Sequence, residues 1–139
     1  MIHSMKIGDR RTFRRAITQA DVQQFAEVTG DTNPTHLDAA YAATTRFKKP
    51  IVHGMLVGSL FSKVFGMDYP GEGTIYCSQT LTFLKPVYPD SPLIVEVIVR
   101  RLDVEKNRAY FDTLIHDRAG DVVIKGEAMV MPPKEKRNA

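Results

Sequence analysis

Asp31 and His36 stand on either side of the segment Thr32-Asn33-Pro34-Thr35. A proline pushes the residue before it out of the helical region, so the chain turns at Asn33-Pro34. That turn can bring the carboxylate and the imidazole to one point without closing a distant loop. Such a pair suits acid/base work, because a histidine near its unperturbed pKa of ~6.5 exchanges protons at neutral pH. Asp31 also lies just beyond a helix that Gly30 is placed to end, where the negative end of the helix dipole disfavours an ionised carboxylate. In isolation, the same Asp-x-Asn-Pro segment is better read as an Asx-type turn with a surface histidine. Of the other histidines, His3 near the chain start and His116 within a strand read as structural or exposed. His53 reads as a structural neighbour of Gly54, which opens an apolar stretch where helix-start amides converge.

The chain contains no GxGxxG, P-loop, GxSxG, HExxH or CxxC pattern, so phosphate-loop and nucleophile-elbow chemistry are not expected. Its 139 residues, 43% hydrophobic and 25% charged, predict one globular domain over 1–139 with a polar, frayed tail at 132–139. Cys77 is the single cysteine, which excludes an internal disulfide and fits a reducing cytoplasm. No run approaches the ~18 apolar residues of a spanning helix, so no membrane association is expected. Lys and Arg number 19 against 16 Asp and Glu. Their clusters lie at Arg10, Arg11, Arg14 and Arg15, at Arg46, Lys48 and Lys49, and at Lys134, Lys136 and Arg137. Solvated faces, and no nucleic-acid partner, are the reading for the first and third.

The elements that must position these groups follow from periodicity. Residues 10–17 alternate as a strand. Thr18 and Asp21 form a capping-box pattern, followed by Val22, Phe25, Ala26 and Thr29 at helical spacing up to Gly30. A short helix is expected over 38–44. Residues 51–66, apolar on nearly every side, predict one helix buried all round. Four strands come next, over 74–83, 93–101, 109–116 and 122–131. Strands segregated from helices imply an α+β domain whose antiparallel sheet curls around that helix, the hot-dog arrangement.

The segments Thr29-Gly30-Asp31-Thr32-Asn33-Pro34-Thr35-His36, Ala42 and Pro50-Ile51-Val52-His53-Gly54-Met55 resemble the hydratase signature of the MaoC-like hot-dog family. The chain is most similar to the short, single-domain (R)-specific enoyl-CoA hydratases that feed polyhydroxyalkanoate synthesis, from Gly8 to Met131. Thr35 departs from the Ile, Leu or Val that the family usually carries there.

This resemblance implies reversible syn addition of water to a trans-2-enoyl thioester, without metal or redox cofactor. Asp31 and His36 would hold one water, with Asp31 the principal base and His36 the acid. Gly54 would supply the oxyanion contact, and Asn33 and Ser62 would support the pair. Leu56, Leu60, Val64 and Phe65 would line an acyl tunnel, a bulky Phe65 implying short chains, although all four also read as ordinary core. Lys48 and Lys49, with Arg46, would meet coenzyme A phosphates. The substrate would be an acyl-CoA or acyl-ACP thioester, and the subunits would pair as a homodimer. Rival readings are a 3-hydroxyacyl-ACP dehydratase, a hot-dog thioesterase and, last, a non-enzymatic binding module.

Overall fold

The computed structural model describes residues 1–134. Strands β1 (Arg10–Arg15), β2 (Ile75–Gln79), β3 (Thr82–Phe83), β4 (Leu93–Asp103), β5 (Arg108–His116) and β6 (Val122–Met131) form one antiparallel sheet. Its order is β1-β4-β5-β6-β2, with β3 also paired to β6. Alternation along β4 turns Leu93, Val95, Val97 and Val99 inward, where they meet Phe111 and Ile115 of β5. This sheet and its few helices make the fold α+β with the expected strands.

Helix α1 (Gln19–Thr29) begins at a complete capping box. Thr18 Oγ1 accepts from the Asp21 amide, and the Asp21 carboxylate accepts from the Thr18 amide. It ends at Gly30 with φ 80°, the left-handed conformation that glycine adopts freely. Thr29 is exposed and does not continue the buried face of Val22 and Ala26. The short helix expected over 38–44 is present as α3 (Ala39–Ala43), and a further turn of helix, α2 (Pro34–Leu37), precedes it. Asn33 caps α2 and Asp38 caps α3, each accepting a backbone N–H two or three residues ahead.

The apolar run 51–66 is shorter as a helix than its composition implied, and it is interrupted. His53 is extended, so α4 (Gly54–Gly58) begins only at Gly54; α5 (Leu60–Lys63) then follows Ser59 and widens into a π-helical turn at Val64–Asp68. Nor is it buried on every side. Val57, Phe61, Val64 and Phe65 face the sheet, while Met55 is 59% exposed and Ser59 and Ser62 lie at the surface.

Residues 74–83 also divide in two, at Thr80. There the chain passes over Gly126, where an added Cβ would lie 1.8 Å from the Thr80 carbonyl oxygen. At the far end Pro132 is buried and its carbonyl accepts from Asn107 Nδ2 at 2.9 Å, so the chain is anchored one residue beyond β6. The predicted tail residues 135–139, including Lys136 and Arg137, lie outside the described residues. No helix among the described residues is long and apolar enough to cross a membrane.

Candidate active site

The bend between α1 and α2 holds Asp31 at three points. Its amide donates to Thr29 Oγ1 at 3.1 Å, its carboxylate Oδ1 accepts from the Asn33 amide at 3.2 Å, and its carbonyl accepts from His53 Nε2 at 3.1 Å. The carboxylate itself remains half exposed. Asn33 acts on the pair through the backbone, because its Oδ1 accepts from the Thr35 amide and caps α2.

His36 is held just as closely. Its carbonyl accepts from Gln19 Nε2 at 2.9 Å, and its ring Nδ1 lies 2.6 Å from the Ile51 carbonyl. The Ile51 amide in turn donates to Thr35 O. A carbonyl can only accept, so Nδ1 carries the proton and Nε2 of the neutral ring is left as an acceptor. Burial is the main cause holding the His36 pKa below the ordinary histidine value, and neighbouring His53 lowers it further; the Ile51 bond and the Asp31 charge oppose them.

A carboxylate oxygen of Asp31 and ring nitrogens of His36 and His53 all lie within 4.8 Å of one another. Two hydrogen bonds of ~2.8 Å meeting at one water span roughly 4.5 Å, so the separation suits a single bridging water. The three groups are also of metal-ligand type, but their arrangement suits proton transfer better. The His36 and His53 rings stack at 3.8 Å and 29°, so an ion in the plane of one ring lies out of the plane of the other. His53 Nε2–H is moreover given to the Asp31 carbonyl.

These groups form one end of a cavity of ≈ 390 Å³, within the range of small-molecule sites. Its walls include Met55, Val57, Phe83 and Ile124, with Arg46 and Lys85 contributing positive charge. Lys85 is already engaged by Asp117 and Asp121 at 3.2 and 2.8 Å. Gly54 lines the cavity at the start of α4, whose first engaged amide is that of Val57. A Cβ on Gly54 would lie 2.7 Å from the Phe83 ring. The missing side chain therefore admits Phe83, rather than simply leaving space for substrate.

Other expected site residues fall elsewhere. Val64 and Phe65 are core, Phe65 packing edge-on against Phe111 at 4.8 Å, and neither they nor Leu56 line this cavity. Ser62 is exposed on α5 and makes no side-chain hydrogen bond to Asp31 among the described residues. Lys48 and Lys49 are exposed beside the cavity rather than in its wall, Lys49 lying over the Tyr88 ring at 5.7 Å. The residues missed are His53 and Phe83, while Arg46, expected beside the site with Lys48 and Lys49, is in the cavity wall. His53 was adjacent to Gly54 in the recognised segment, whereas Phe83 reaches the site only through sheet pairing.

The family model of the MaoC like domain matches residues 4–120. The chain is 42% identical over 130 residues to the (R)-specific enoyl-CoA hydratase of Aeromonas caviae, covering 94% of this chain and 97% of the relative. The solved A. caviae (R)-hydratase, described as involved in PHA biosynthesis, superposes with a TM-score of 0.91, covering 94% of this chain and 98% of that one. The R-hydratase PhaJ1 of Pseudomonas aeruginosa, in its unliganded form, has 43% identity and a TM-score of 0.92, covering 99% and 90%. The 3-hydroxybutyryl-CoA dehydratase of Methylorubrum extorquens is 40% identical over 95% of this chain and 83% of its own. Matched residues, shared hot-dog fold and near full-length identity place this chain in the MaoC-like domain family, among its hydro-lyases.

Proposed function

We propose that the chain is an (R)-specific enoyl-CoA hydratase that adds water reversibly and syn to trans-2-enoyl-CoA, giving (R)-3-hydroxyacyl-CoA. The observation that carries this reading is the juxtaposition of Asp31 and His36, at water-bridging separation, at the end of an apolar cavity. One water donates to His36 Nε2 and to the Asp31 carboxylate. As its oxygen attacks Cβ, a proton passes into the pair and the π electrons move through Cα onto the thioester oxygen. Amides at the start of α4, beginning with Gly54, stabilise that charge. Collapse of the enolate takes up a proton at Cα from the pair, so one water is added and nothing else is consumed. The His36 tautomer assigns it the first proton acceptance, and it then serves as the acid that the sequence suggested; Asp31 shares the base role. Phosphates of coenzyme A meet Arg46, with Lys48 and Lys49 beside it.

Crotonyl-CoA is the first substrate to try, following loss of the conjugated enoyl-thioester absorbance with chiral analysis of the product. Asp31→Asn and His36→Ala are each expected to lower kcat by about 10²–10⁴-fold, the usual contribution of a positioned proton-transfer group. In the same assay Arg46→Glu is expected to raise KM several-fold. Wild-type rates in both site variants would overturn the pair, and release of free CoA without hydration would replace hydratase by thioesterase. If only carrier-protein esters react, the enzyme is a 3-hydroxyacyl-ACP dehydratase.

A further inference from the structure

We propose that His53 is a positioning residue for this hydration, an inference that rests on the hydratase reading: one ring simultaneously tethers Asp31 and supports the face of His36. His53 is 2% exposed. Its ring lies between Phe25, at 4.7 Å, and His36, at 3.8 Å. Its Nε2 is 3.1 Å from the Asp31 carbonyl and 3.9 Å from carboxylate Oδ2. Since the carbonyl only accepts, Nε2 carries the hydrogen, and Nδ1 of the neutral ring is a bare acceptor. That Nδ1 is buried with no hydrogen-bond partner among the described residues.

An unpartnered buried acceptor detracts from stability, so fold stability alone does not account for a histidine here. What the imidazole provides is a combination: a flat face for stacking and an N–H on the far edge, reaching the Asp31 backbone. Phenylalanine keeps the face without the donor, and glutamine keeps a donor near the Nε2 position without the face. Among the described residues, Asp31 is otherwise tied only to its own bend, through Thr29 and Asn33. His53 is the bond that references this bend to the start of α4, and therefore to Gly54. Asp31, His36 and the oxyanion amides are thus set relative to each other through one side chain.

Steady-state hydration kinetics on His53→Phe, His53→Gln and His53→Asn test the role. Displacing a reacting group by about 1 Å costs roughly 10²-fold, so His53→Phe should lose about 10–100-fold in kcat while KM stays within about twofold. Glutamine places its amide near Nε2 and asparagine near Nδ1, so His53→Gln should retain several-fold more kcat than His53→Asn. That second comparison decides the matter if His53→Phe does not fold. A His53→Phe kcat within twofold of wild type, or equal kcat in the Gln and Asn variants, would overturn the proposal. The ¹⁵N imidazole spectrum of the wild-type protein at pH 8 is an activity-independent arm. An Nε2–H tautomer for His53 is required, and an Nδ1–H tautomer overturns the tether even if hydration is confirmed. Should wild type fail to hydrate any enoyl thioester, the hydratase reading fails while the tautomer still reports on the tether.

Discussion

At the residue scale, the protonation state of His36 connects geometry to pH dependence. Its Nδ1–H is committed to Ile51 O, so Nε2 receives a proton from water only while the ring is neutral. Burial disfavours the imidazolium and lowers the pKa from 6.5. Activity should therefore stay level as pH falls from 8 towards 6.5 and decline only below, where the ring charges. A pH profile of kcat/KM checks this, and an acidic limb centred above pH 7 would contradict the neutral acceptor. The linkage to stability has the same sign. The unfolded chain binds the proton more readily, so this group's contribution is present above the unfolded pKa and is lost as pH falls through the lower folded value. Asp31 and His36 were legible in the sequence because the turn through the four residues between them can alone bring them together. The histidine's tautomer was not, since it depends on the carbonyl of Ile51, fifteen residues further on.

At the element scale, the strands could be read from alternation and α1 from its caps, since both signals are local. The breaks could not. Composition at 51–66 favours a continuous helix, yet His53 is drawn into extended backbone, where its ring reaches Asp31 and His36. The strand expected over 74–83 breaks at Thr80, whose amide bonds to Glu127 O and whose carbonyl occupies the space above Gly126. Gly126 is thus required by a contact with a remote backbone and not by its own conformation. Gly126→Ala must displace the Thr80 backbone, and overpacking of this kind costs about 1–3 kcal/mol or more. For a domain of this size the melting temperature should fall by roughly 3–6 °C for each kcal/mol lost. Calorimetry giving a wild-type midpoint would show that the β2–β3 crossing yields easily.

At the scale of the whole molecule, β1 and β2 are the sheet's outer strands. β2 presents Ile75, 58% exposed, and Tyr76, 37% exposed, beside the exposed Phe83, Leu84 and Met55. Unpaired backbone flanked by apolar side chains is a surface that another strand can cover. We propose that two copies pair through this edge as a homodimer. Light scattering should then give twice 15.6 kDa, and Ile75→Lys should shift the population towards the single-chain mass. A wild-type mass of one chain at micromolar concentration would refute the pairing.

The sequence by itself determined the element types, the caps of α1, the strand alternation and the Asp31-turn-His36 unit, because each is written within a few consecutive residues. Only the tertiary structure decided that His53 joins the pair, that Phe83 closes over Gly54, that Arg46 enters the cavity wall and that Phe65 belongs to the core. Each of those outcomes depends on which distant segment occupies the adjacent space. Local periodicity encodes which face of an element is apolar; packing chooses its neighbour.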